Sequence, residues 1–161
     1  MKLASLFILL ATAFQLLTAF EVGDLKPGKT PAAKNVKFTT SSNVCSMLFG
    51  SGNQPKSRAW MRQYSNWLES GEKIRISMQV KASQTPNDKA DCFIMVQALG
   101  ENRKYLRSKV FAKYFPASDF TNQWKTVEYI FTMVDAKRTK NWLDGKELLI
   151  TFGATATQGL F

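Results

Sequence analysis

The chain has no histidine, and only two of its 161 residues are cysteine. Without imidazole there is no serine triad of the usual kind, no histidine general acid or base, and no histidine metal site. The sequence also lacks Gly-x-Ser-x-Gly, a phosphate-cradling glycine loop and Cys-x-x-Cys. Paired carboxylates, as in glycoside hydrolysis, are the one catalytic device left open. Acidic residues are few, 12 against 22 basic ones. Asp91, Glu101, Asp119, Asp135 and Asp144 fall mostly at turns, and only Glu128 sits inside a strand pattern. The expectation is therefore a protein that is not an enzyme. Internal repeats, low-complexity tracts and nucleic-acid motifs are missing too.

What is present begins with a leader. Lys2 precedes an apolar run over residues 3–14, and a small residue, Ala19, closes the segment. This is the pattern of a secretory signal, with cleavage expected after Ala19 and a mature start at Phe20. The alternative is an uncleaved anchor, but a span needs ~20 apolar residues and Gln15 interrupts this run. The expected location is secreted or periplasmic, with no membrane span after cleavage. About 140 residues remain, enough for one domain with a real core. Without Lys2 there are 21 basic residues against 12 acidic, a charge of +9. Such a surface suits an anionic cell-surface polymer, or simply keeps the protein soluble. Nucleic acid is not an expected partner of an exported chain. Cys45 and Cys92 are a candidate disulfide in an oxidising compartment, and buried free thiols are the equal alternative.

Alternation dominates the rest of the chain. In residues 73–81, Ile74, Ile76, Met78 and Val80 alternate with Arg75, Ser77, Gln79 and Lys81, the period of a half-buried strand. Val127, Tyr129, Phe131 and Met133 alternate with Thr126, Glu128 and Thr132, and Leu148, Ile150 and Phe152 form a third stripe. Residues 43–49 read as a strand, and 91–99, apolar on both faces, as a central one. For 58–64 a helical stripe competes with a strand, and the strand is preferred. Residues 103–114 fit a strand, a short helix or a loop, and 20–35, rich in glycine and proline, an extended lead-in. Many short strands between polar turns predict an all-β, two-sheet antiparallel sandwich over residues 36–161.

The order of these pieces resembles carbohydrate-binding modules of the family 4/9 type. The resemblance rests on Gly71-Glu-Lys-Ile-Arg-Ile-Ser-Met-Gln-Val-Lys-Ala82, the mixed strand from Phe93 to Leu99, Gln123-Trp-Lys-Thr-Val-Glu-Tyr-Ile-Phe-Thr132 and Leu148-Leu-Ile-Thr-Phe-Gly153. It covers roughly residues 43–153 and implies a galactose-binding-domain-like jelly roll that binds polysaccharide or glycan. Two features depart from the pattern. Where the usual closing strand is expected, either Gly159-Leu-Phe161 is all that remains of it or the chain is a truncated product, and the enzyme that such modules usually accompany is not among these 161 residues. The family often carries a structural calcium, but no ligands for one are assignable here, and no other cofactor is implied.

Sugar recognition needs an aromatic platform beside planar polar groups. Trp60, Arg62 and Tyr64 are the expected stacking wall, unless that strand turns the same residues into the core. Arg75, Ser77, Gln79, Thr126 and Glu128 are the expected polar part. Trp67, Tyr105 and Trp142 are candidates for a cleft rim, whereas Trp124 is expected to pack. The basic run Arg103, Lys104, Arg107, Lys109 and Lys113 supports the alternative function, a cell-envelope structural or interaction domain that binds a protein or an anionic polymer.

Overall fold

A computed structural model describes residues 26–29, 35–41, 44–50, 58–82, 91–106, 110–133, 142, 144–156 and 159–160. The leader, most of the lead-in, Arg107, Lys109 and Asp135 lie outside the described residues. The strands are β1 (Lys26–Lys29), β2 (Val36–Ser41), β3 (Val44–Phe49), β4 (Arg58–Asn66), β5 (Lys73–Val80), β6 (Asp91–Leu99), β7 (Phe111–Pro116), β8 (Lys125–Thr132), β9 (Glu147–Thr155) and β10 (Gly159–Leu160). Short 3₁₀ turns occupy Glu101–Arg103 and Ala117–Asp119. No helix among the described residues is long and apolar enough to cross a membrane.

The pairing is antiparallel throughout. One sheet has the order β1-β4-β9-β6-β7, a second the order β10-β3-β2, and the third is the pair β5-β8. A single core joins them. The five-stranded sheet contributes Ala59, Met61, Cys92, Ile94, Val96, Leu148, Ile150 and Ala154. Ile76, Val80, Val127 and Phe131 meet them from β5 and β8, and Val36, Met47 and Phe49 from β2 and β3. Burying each large apolar side chain contributes ~1.5–3 kcal/mol. The architecture is the expected all-β sandwich, and its alternation follows the sequence. Along β5, Ile76 and Val80 are buried while Arg75, Ser77 and Gln79 are exposed.

Within the lead-in, the extended residues Lys26–Lys29 form β1, which pairs with β4 at the edge of the five-stranded sheet. Three expectations need correction. Trp142 is no rim residue: it is fully buried, with Phe111 edge-on at 5.3 Å and Phe131 tilted at 5.7 Å. Trp67 packs on Trp142 at 6.0 Å, and its ring takes the space above Gly145 that a Cβ would fill. Trp124 does not pack into the core. It is 49% exposed, with the Lys81 ammonium 4.9 Å above its ring. The candidate disulfide is not formed. Cys92 is a free thiol, buried on the inner face of β6 beside Ala154 and Phe115, whereas Cys45 belongs to β3 in another sheet.

Candidate functional site

Sheet register decides which side chains share a surface, because directly paired residues point the same way. On the outer face of the five-stranded sheet the pairs form rows across the strands. One row runs Gly28, Trp60, Gly153, Phe93, Tyr114. The next is Lys26, Arg62, Thr151, Met95, Ala112, and a third is Tyr64, Leu149, Gln97. A fourth holds Asn66, Glu147 and Leu99, which bridges to Tyr105. At the other end stand Arg58, Thr155, Asp91 and Pro116.

The glycines in the first row have a steric reason. A Cβ on Gly28 would collide with the Trp60 indole nitrogen, and one on Gly153 would strike both the Phe93 ring and the Ala59 carbonyl oxygen. Their absence lets the two rings lie down on the sheet. Phe93, Leu99, Leu149 and Thr151 are buried on this outer side. They form an apolar floor separate from the main core, with the larger side chains laid over it.

Arginines cover that floor and stack on its rings. The Arg58 guanidinium lies 5.7 Å from the Phe93 ring and 5.9 Å from Tyr114, whose own rings are 5.9 Å apart. Arg62 lies 4.9 Å over Trp60 and 5.8 Å over Tyr105. Arg103 approaches to 4.0 Å over Tyr64, which Lys26 also faces at 5.7 Å. Delocalised guanidinium groups suit this stacking better than ammonium groups do. Arg103 sits in a tight turn with φ 58°, next to Asn102 with φ 54°. A non-glycine residue in that left-handed region costs roughly 1–2 kcal/mol. Its Nε donates to Glu147 Oε2 at 3.0 Å, and this bond raises the arginine's pKa further.

Three buried polar atoms on this face have no hydrogen-bond partner: Trp60 Nε1, Arg62 Nε and Thr151 Oγ1. Arg62 and Thr151 are direct cross-strand partners, and Trp60 is the next outward residue on β4. Two tyrosines stay open, Tyr105 at 50% and Tyr114 at 46% exposure. They flank the face at opposite ends. Tyr114 pairs with Phe93 and Tyr105 with Leu99, and six residues of β6 separate those partners, ~20 Å at ~3.3 Å per residue.

The expected site residues therefore divide. Trp60, Arg62 and Tyr64 do share one outward surface. Arg75, Ser77, Gln79, Thr126 and Glu128 share another, on β5 and β8, where Arg75 Nε meets Glu128 Oε1 at 2.9 Å. The core lies between these surfaces, so the eight residues do not form one site. Alternation tells inside from outside, but a sandwich has two outsides. Two described residues of the basic run also point to different places. Arg103 turns to Tyr64, while Lys113 lines a shallow depression with Glu128, Tyr129 and Ile130 at the β7–β8 edge. Lys26, Arg58, Phe93, Tyr114 and Thr151 escaped the sequence reading. The glycine at 153, inside a strand pattern, was the available signal of a ring lying on the sheet.

No protein-family model and no curated protein sequence matches this chain. Among solved structures it is similar to the enzymatically active domain of tailspike protein 4 of bacteriophage CBA120. The TM-score is 0.56 at 11% identity, covering 85% of this chain and 18% of that one. It is also similar to a CBM4 carbohydrate-binding module, with a TM-score of 0.50 at 16% identity, covering 84% of this chain and 81% of that one. The chain thus spans less than a fifth of the tailspike chain's length. At these identities the likeness is one of fold, an antiparallel β-sandwich.

Proposed function

We propose that this protein binds polysaccharide or glycan chains without cleaving them, on the outer face of its five-stranded sheet, and that it does so after export. The observation that carries the reading is the face itself. Trp60, Arg62 and Tyr64 lie side by side there, and two half-exposed tyrosines, Tyr105 and Tyr114, join the same face at backbone positions ~20 Å apart along β6. Exposed aromatic rings offer stacking surface for the apolar faces of sugars, and the length suits a chain better than a single sugar. Trp60, lying over Gly28 with Arg62 above it, serves as support in this arrangement, and Tyr105 and Tyr114 as the stacking residues. The likeness in fold to a carbohydrate-binding module supports the choice of a glycan as ligand.

Carboxylate placement supports binding without hydrolysis. Among the described residues, Asp91 and Glu147 are the acidic members of the paired rows of this face, and they stand at its two ends. Eight residues of β6 separate their rows, ~26 Å at ~3.3 Å per residue. Glycosidase pairs work at ~5–10 Å.

Pull-down on a panel of insoluble polysaccharides tests the proposal. Binding is expected to at least one of them, and to be lost in Tyr105→Ala and Tyr114→Ala with the circular dichroism unchanged. Retention by none, with capture of envelope proteins instead, favours the interaction-domain alternative. Export is checked separately by N-terminal sequencing of the protein recovered outside the cell, which is expected to begin at Phe20.

A further inference from the structure

Resting on the glycan-binding reading, we propose that the site takes an anionic glycan, with a carboxylate or sulfate group of the sugar chain held by Arg62 and Thr151, direct partners across β4 and β9. Three unpartnered polar atoms lie on this face. An indole Nε1 and a guanidinium Nε are donors only, and a threonine hydroxyl can donate. All three are buried without a partner, and Thr151 is only 2% exposed. Buried polar groups are nearly always paired in folded proteins, so the orphaned Arg62 Nε and Thr151 Oγ1, on directly paired residues, ask for a missing group, while Trp60 Nε1 faces Gly28. That group must accept hydrogen bonds.

The surroundings say which kind of acceptor fits. The row through Arg62 and Thr151 contains Lys26, Met95 and Ala112, with no acidic side chain. Asp91 and Glu147 lie at the ends of the face, and Glu147 is engaged by Arg103. Among the described residues no carboxylate lies within ion-pair distance of Arg62. A neutral sugar hydroxyl would bring a proton of its own into a group of donors. A carboxylate or sulfate brings only acceptor oxygens, and guanidinium geometry matches both. Arg62 now rests on Trp60 and against the half-exposed Tyr105. In this proposal the Arg62 guanidinium leaves the Tyr105 ring to meet the anion, and the half-exposed tyrosine stacks on the sugar.

Calorimetric titration decides the matter. The probes are oligogalacturonate, a sulfated heparin oligosaccharide and a neutral β-glucan oligosaccharide, each at low salt and in about 0.5 M sodium chloride, where exposed charges are screened. An anionic probe is expected to bind and to persist at high salt. Its affinity is expected to fall about tenfold or more in Arg62→Gln, the usual effect of losing a hydrogen bond to a charged group. Thr151→Val guards against a folding artefact. It deletes an orphan hydroxyl, so its melting temperature is expected to hold or rise while the anionic probe binds more weakly. Which anionic probe binds separates carboxylate from sulfate. Preference for the neutral glucan overturns the anionic assignment and leaves glycan binding standing. Anionic binding that vanishes in salt, or ignores both variants, also overturns it. Failure of all three probes together with the polysaccharide panel removes both readings.

Discussion

A thiol sealed between two strands behaves as a small apolar group. Burial, and secondarily the charge of Asp91, push the Cys92 pKa from 9.0 up to about 12. Below the unfolded value the thiol is neutral in both states and has no effect on the pH dependence of folding. Between about 9 and 12 the unfolded chain loses the proton first, so stability falls as pH rises, by at most ~1.4 kcal/mol per pH unit. Urea melts across that window are expected to show a steeper decline for the natural protein than for Cys92→Ala, and parallel profiles would refute the assignment. Gly153 offers a second residue-scale test. Gly153→Ala sets a methyl against the Phe93 ring and the Ala59 carbonyl. Overpacking of this kind costs typically ~1–3 kcal/mol, read as a lowered denaturation midpoint. Individual residues were also where the sequence was least legible. Trp142 sits outside any strand pattern, yet Phe111, Phe131 and Trp67 enclose it. Trp124 begins a strand pattern, yet lies half in solvent under Lys81. Neither composition nor spacing carries that information, because both depend on partners distant in the chain.

Elements were far more legible. The period of two is visible in β5, β8 and β9 because one face of each packs on the core. β6 could be placed centrally from its apolar character alone, and it does lie between β9 and β7. Phe131 shows what that alternation secures. Its ring is 1% exposed, edge-on to Phe111 at 5.6 Å and against Trp142 at 5.7 Å. Phe131→Ala is expected to cost ~3–5 kcal/mol, enough to leave the domain largely unfolded in a thermal melt. The two weakest patterns turned out as strands for non-local reasons. β7 is held by its ladder to β6, and β1 by its ladder to β4. Such pairing is set by the partner strand, and a lysine-rich, glycine- or proline-bearing segment shows little of it locally.

At the scale of the whole molecule, the two outward surfaces are independent. Arg75, Gln79 and Glu128 lie across the core from Trp60, Arg62 and Tyr64, so Arg75→Ala and Gln79→Ala are expected to leave glycan binding unchanged. Stability should move by no more than ~0.5 kcal/mol, since these are exposed positions whose one ion pair is screened by water. Loss of binding in either variant would place the site on the wrong side of the sandwich. About half of the candidate surface could be named beforehand, because parity along one strand sorts its residues into two sets. Which sets from different strands meet depends on the order β1-β4-β9-β6-β7, and no stretch of this chain announces that order. Finally, β1 is a margin as well as a member of that sheet. It is four residues long and carries Pro27 between Lys26 and Lys29. Brevity, a missing amide hydrogen and paired positive charge all discourage a neighbouring copy from adding its own backbone there. A second copy is thereby kept from lengthening the five-stranded sheet at this edge.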